Sequence, residues 1–264
     1  MRNKSGTVFY MRKLHLQDIS KTDIAVFVLL AVCSGMMIGI GGTASLLAQS
    51  LYESWGKIIG AVLFSLGIYA IVTFEMKLFT GMVADIPKMP KKNLWMLPVC
   101  FIGNAIGVAL IALVVSVSPL AKSTMPLGAS IIETKLNAEN WALGSLSSSI
   151  LCGMMITLSV WSVNYAPKKG VSTTVGVMFP IIFFAFCGFD HSVANMLYFY
   201  YLGEVSWRVV GYIALSILGN IIGGVILPLI VKLREFSINR KKPKTEAKTM
   251  GETTEAVNRN KHLA

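Results

Sequence analysis

Long apolar runs separated by short clusters of charge set the pattern of this chain. Six runs cover about 24–47, 57–74 with a short continuation to Ile86, 94–117, 141–163, 171–202 and 209–231. A helix needs roughly 20 residues to cross the hydrocarbon core of a bilayer, and each run has that length. The weak alternation over about 10 residues that marks a membrane barrel is absent. The pattern therefore predicts an all-α integral membrane protein with six transmembrane helices in a channel domain at 24–235. Residues 118–140, with Pro119 and Pro126, read as a polar loop. Residues 1–23 read as a basic segment in which Val8 to Ile19 is a candidate amphipathic surface helix. Residues 236–264 are lysine-rich and poor in apolar side chains, the composition of a disordered tail.

Two runs are interrupted in a way that ordinary spans are not. Phe74-Glu75-Met76-Lys77-Leu78-Phe79-Thr80-Gly81 places two charges and a glycine inside the second. That predicts a helix over 57–74, a loop and then a half-helix. Gly188-Phe189-Asp190-His191-Ser192-Val193-Ala194-Asn195-Met196 sets an acid beside an imidazole in the middle of the fifth. A charge at that depth costs at least about 2.5 kcal/mol, so such residues face a cavity or a partner. Irregular backbone is tolerated there only where protein or a watery path satisfies it. The two breaks therefore predict a pore.

The halves of the chain also repeat. Ile102-Gly103-Asn104-Ala105-Ile106-Gly107 in the third run returns as Leu218-Gly219-Asn220-Ile221-Ile222-Gly223 in the sixth, 116 residues later. The breaks at Thr80 and His191 are 111 residues apart. Three spans per half is an odd number, so the two halves cross in opposite senses. Matched broken segments in inverted halves point to a central transport path.

Composition sharpens this. Hydrophobic residues make up 54% of the 264 and charged residues 14%, against roughly 25% charged in a soluble domain. A net charge of +11 could by itself suggest nucleic acid. Here the cations lie at the ends of apolar runs and in the tail, so no nucleic-acid partner is expected. Of 24 Lys and Arg, 19 fall in the N-terminal segment, the 87–93 and 167–170 loops and the tail. The positive-inside rule then places both termini in the cytoplasm. Cys33, Cys100, Cys152 and Cys187 all sit in apolar runs without a CxxC spacing. Neither a disulfide framework nor a metal site nor any other cofactor is indicated. The polar start and the long first run do not read as a cleavable signal peptide.

Leu78-Phe79-Thr80-Gly81 in a broken second span, with Gly-Phe-Asp-His-Ser-Val-Ala-Asn-Met at 188–196 in a broken fifth, resembles the formate/nitrite transporter family. The resemblance covers roughly residues 15–235. It implies an aquaporin-like protomer of two inverted three-helix repeats, a homopentamer in a prokaryotic inner membrane, and one pore per subunit for formate, nitrite or hydrosulfide. It also implies roles for single residues. His191 matches the pore histidine and Thr80 the threonine facing it. Phe64, Phe79 and Phe184 match an outer apolar constriction, and Ile68 and Leu78 an inner one. Asp190 matches the acid beside the histidine, Lys135 the lysine that pairs with it, and Asn195 closes the same motif. Three positions depart from the family pattern: Lys77 stands where an acid is usual, Met82 where a polar residue is common, and Gly153 where an asparagine reaches the histidine. They bear on which anion is carried, and Lys77 becomes a candidate pore residue in its own right.

Apolar constrictions oppose a bare ion, because its charge leaves water uncompensated. A weak acid can instead cross as its neutral form. Histidine, with an ordinary pKa near 6.5, is a candidate proton donor, and half-helix N-termini attract anions. The same features would suit a proton-coupled secondary carrier for a small carboxylate. An intramembrane hydrolase using His191 with Ser147 or Ser148 is a weaker alternative, since no strained Gly-x-Ser-x-Gly turn is present. No enzymatic activity is expected.

Overall fold

The computed structural model describes residues 20–165 and 171–241. The candidate amphipathic helix at 8–19 lies outside them, as does the tail beyond 241. Nine helices are formed among the described residues: α1 (Lys21–Leu51), α2 (Gly56–Thr73), α3 (Phe79–Val83), α4 (Met96–Ser116), α5 (Ala121–Asn137), α6 (Trp141–Tyr165), α7 (Val171–Cys187), α8 (Ser192–Leu202) and α9 (Trp207–Lys241). Five are long and apolar enough to cross a bilayer, and α7 with α8, bent by 42° at their break, makes a sixth. Two 3₁₀ turns, Ile86–Lys88 and Lys91–Asn93, connect α3 to α4. The chain divides into two compact units, Met1–Pro228 and Leu229–Ala264. The helix breaks and the apolar core lie in the first; in the second, Leu229 to Lys241 is helical.

Local chemistry accounts for the element ends. Ser20 caps α1: its hydroxyl accepts from Asp23 N–H while the Asp23 carboxylate accepts from Ser20 N–H. This capping box starts the helix at Lys21, three residues before the apolar run. At the other end, α9 continues to Lys241 and takes in the first six residues of the expected tail. Arg234, Glu235, Arg240 and Lys241 are good helix formers and extend a turn that already exists.

Helix α5 corrects the expectation of a loop at 118–140. Pro126 lies inside it, and the prolines together with a polar composition hid the pattern. The buried residues are Thr124, Gly128, Ile132 and Leu136, a strict four-residue spacing that lays one stripe along a helix. That stripe packs mainly on α8, with smaller contacts to α1.

The remaining packing follows the repeat. α1 lies against α2 and α4, α7 against α2 and α6. Small residues let the backbones close in. A Cβ on Gly35 would run into the Asn104 backbone, and one on Gly107 into Val32. In the other half, a Cβ on Gly153 would run into the Asn220 backbone, and one on Gly223 into Ile150. Close approach through small residues is the usual device of helix pairs in lipid. Gly153 is thus the repeat mate of Gly35. Large apolar side chains such as Leu29, Leu66, Leu113, Phe179 and Phe183 are exposed on the outside, as a surface facing lipid or other subunits requires.

Candidate functional site

Both breaks are turns in which the chain leaves one helix and starts another. After α2, Phe74 N–H still bonds Ala70 O, and Met76 N–H reaches Ile71 O at 2.9 Å. Glu75 adopts φ 53°, the left-handed region that non-glycine residues rarely occupy. After α7, Gly188 takes φ 74°, where glycine meets no steric cost. Phe189 N–H closes the turn on Phe184 O at 3.0 Å. α3 begins at Phe79, and α8 begins after His191.

His191 is the N-cap of α8, and its ring joins the two breaks. Nδ1 accepts from Ala194 N–H at 2.9 Å. Nε2 lies 2.8 Å from Thr80 Oγ1 in the first turn of α3. A backbone N–H can only donate, so Nδ1 must be the acceptor. In the neutral ring the proton therefore sits on Nε2, which donates to Thr80 Oγ1. Thr80 is 0% and His191 1% exposed, so this bond is buried away from bulk solvent.

Aromatic rings pack against the histidine. Phe184 stacks on His191 with centroids 5.9 Å apart, and Phe64 meets Phe184 edge-on at 5.7 Å. Ile68 and Leu78 are buried in the same core. Phe79 belongs to that core too, but its ring packs edge-on against Phe101 of α4 at 5.3 Å. The structure thus brings Phe64, Phe184, Thr80 and His191 into one chain of contacts and turns Phe79 toward α4.

Asp190 is held rather than free. Its Oδ1 accepts from Lys135 Nζ at 2.7 Å and from Asn195 Nδ2 at 3.0 Å. Lys135 also donates to Gly188 O at 3.0 Å, and Asp190 N–H donates to Ser148 Oγ at 3.0 Å. The last turn of α5 brings Lys135 to this break. A buried carboxylate with a cation and further hydrogen bonds meets the condition under which an ion pair survives burial. Ser148, a candidate nucleophile in the hydrolase alternative, here accepts a backbone hydrogen bond.

Lys77 sits at the other break. The carboxylates acting on it are Glu75 and Asp85. Asp85 is 2% exposed, and neither of its oxygens has a hydrogen-bond partner. Met82 is buried in the core. A side chain at 153 meets the Asn220 backbone, so the asparagine usual in the resembled pattern has no room here, and α6 and α9 close in instead. The residues that sequence reasoning valued only as a repeat are Asn104 and Asn220. Asn104 accepts from Phe79 N–H at 2.8 Å and donates to Lys77 O and Ala31 O, each at 2.8 Å. Asn220 accepts from Ser192 N–H at 2.8 Å and donates to Asp190 O at 3.0 Å and Ser149 O at 2.8 Å.

Known proteins resemble this chain in sequence and in fold. The sequence pattern described as "Formate/nitrite transporter" matches residues 11–233. An uncharacterised transporter, YrhG of Bacillus subtilis, is 26% identical over 78% of this chain and 83% of its own. The formate channel FocB of Escherichia coli is 24% identical over 70% of this chain and 68% of its own. Among solved structures, a pentameric formate channel with formate bound superposes with a TM-score of 0.65 at 20% identity, covering 84% of this chain and all of the other. At that identity the superposition speaks for the fold.

Proposed function

Because the chain belongs to the formate/nitrite transporter family, we propose that it passes a small monovalent weak-acid anion, formate, nitrite or hydrosulfide, through a pore in each protomer of a homopentamer. The observation that carries this reading is the 2.8 Å contact between Thr80 Oγ1 and His191 Nε2, buried where two helix breaks meet. In the reading, both termini face the cytoplasm of a prokaryotic cell.

The residues suit a weak acid better than a permanent ion. Phe64, Phe184, Ile68 and Leu78 offer no group to replace an anion's water. The N-terminus of α8 and the Nε2–H of His191 supply positive partial charge at the centre. An anion drawn there loses water, which favours its protonated form, and the neutral acid crosses the rings. Lys77, with Asp85 beside it, would tune the field at the mouth of the first break. Lys135, Asp190 and Asn195 would hold the second break in shape.

The hydrogen bonds also constrain His191 as a proton donor. Imidazolium carries a proton on both nitrogens. Charging His191 would therefore break its bond to Ala194 N–H and uncap α8. In this reading proton donation from the ring is coupled to a movement of the break, whereas hydrogen-bond donation from Nε2 is available at once.

The test is uptake of formate, nitrite, hydrosulfide and chloride by proteoliposomes carrying wild type, Thr80→Val or His191→Gln. The reading expects wild type to take up at least one of the three weak-acid anions well above chloride. Each variant should change the uptake of that anion about tenfold or more, the scale of one lost buried polar contact. Wild-type uptake of none of the three, or variants that leave the uptake of the carried anion unchanged, would refute it. Rates that saturate at the low turnover of a carrier would favour the proton-coupled carrier.

A further inference from the structure

We propose that Asn104 and Asn220 are positioning residues for transport: each carboxamide clamps one helix break, and the pair fixes the contact between Thr80 and His191. The proposal rests on the anion-pore reading above and adds the residues that hold its centre in place.

The two asparagines do the same job in opposite halves. Asn104 Oδ1 takes the N–H of Phe79, next to Thr80, and its Nδ2 gives to Lys77 O at the near edge of the same break. Asn220 Oδ1 takes the N–H of Ser192, next to His191, and its Nδ2 gives to Asp190 O on the other side of His191. The second proton of each Nδ2 goes to a neighbouring helix, Ala31 O in α1 or Ser149 O in α6. The partners are thus matched one for one, at nearly the same sequence offset. Both asparagines are fully buried, and with these bonds both Nδ2 protons and an Oδ1 lone pair are in use.

This arrangement solves a specific problem. A break leaves N–H and C=O groups with no partner in their own helix, and in lipid none comes from water. A carboxamide is the smallest side chain that gives two hydrogen bonds and takes one in a single plane. It can therefore hold both edges of a break and a third backbone strand together. Removing Asn220 frees Asp190 O and Ser192 N–H, the groups on either side of His191. The ring is then no longer fixed in the geometry that points Nε2 at Thr80. Neither asparagine hydrogen-bonds the side chain of Thr80 or His191; their bonds go to the flanking backbone.

Double-variant cycles read this directly. In proteoliposomes, Asn220→Leu should change the formate-to-chloride uptake ratio about tenfold. In a His191→Ala background the same change should alter the ratio less than about twofold, because the residue through which it acts is gone. Asn104→Leu should behave in the same way against Thr80→Val. Equal fold-changes in both backgrounds, or a wild-type ratio in the single variants, would overturn the proposal. Where a leucine variant does not assemble, the alanine variant takes its place in the same cycle. A second readout stands apart from transport. The chain has three histidines, His15, His191 and His262, so ¹⁵N-histidine labelling resolves the ring of His191. Wild type should show the neutral ring protonated at Nε2. Asn220→Leu should shift the His191 signals while His15 and His262 stay put. Unchanged His191 signals would refute the clamp. If wild type passes no anion but these signals shift, the anion reading fails and the clamp stands.

Discussion

A few side chains hold this molecule's polar centre, and each is held in turn by backbone. His191 caps α8 through Nδ1 and meets Thr80 through Nε2. Asp190 is anchored by Lys135 and Asn195, which bond the same oxygen. Lys135→Ala would leave that carboxylate 3% exposed with no cation. The expected loss is about 3 kcal/mol, the lower end for a broken buried pair because the lysine is part-exposed. Thermal unfolding of the solubilised protein would report it, and adding Asp190→Asn should recover part of the loss. A Lys135→Ala variant as stable as wild type would contradict the role given to the pair. Glu75, at φ 53°, carries strain that glycine would relieve. Glu75→Gly should be neutral or stabilising by about 0.5 kcal/mol, while Glu75→Val should cost about 1–3 kcal/mol. The reverse order in unfolding temperature would contradict the account of that turn.

At the scale of elements, glycine stripes and breaks decide how helices meet. Gly35 and Gly153 occupy matched positions against the Asn104 and Asn220 backbones. Gly153→Asn, which restores the residue usual in the resembled pattern, should therefore lower the yield of assembled protein and cost about 1–3 kcal/mol by overpacking. Gain of activity with unchanged stability would show that α6 and α9 are looser than described. The spans and both breaks were legible in the sequence, because charges and glycines inside apolar runs stand out. Helix α5 was not: Pro119 and Pro126 signalled a loop, and its buried stripe of Thr124, Gly128, Ile132 and Leu136 mixes polar, small and apolar residues. The pairing of Thr80 with His191, 111 residues apart, came from family resemblance rather than from local pattern. The work of Asn104 and Asn220 was invisible for a related reason: their partners are backbone groups on distant helices, and backbone groups leave no mark in sequence. Gly153 read as a missing ligand because only the fold reveals the close crossing at that point.

For the whole molecule, the inverted repeat puts two breaks against each other and leaves an apolar exterior. An assembly of five protomers is the expectation, and native mass measurement of the solubilised protein should give five chains. A stable monomer that still transports would contradict the need for assembly. The central claim is that the buried Thr80–His191 junction passes a weak-acid anion. The most direct measurement is uptake of formate, nitrite, hydrosulfide and chloride into proteoliposomes at two pH values on either side of the ordinary histidine pKa, for wild type and His191→Ala. The account predicts fast uptake of at least one weak-acid anion, faster at the lower pH, chloride far behind, and a clear change on removing the imidazole. Uptake of none of the four, or of chloride as readily as the weak acids with no effect of His191→Ala, would contradict it.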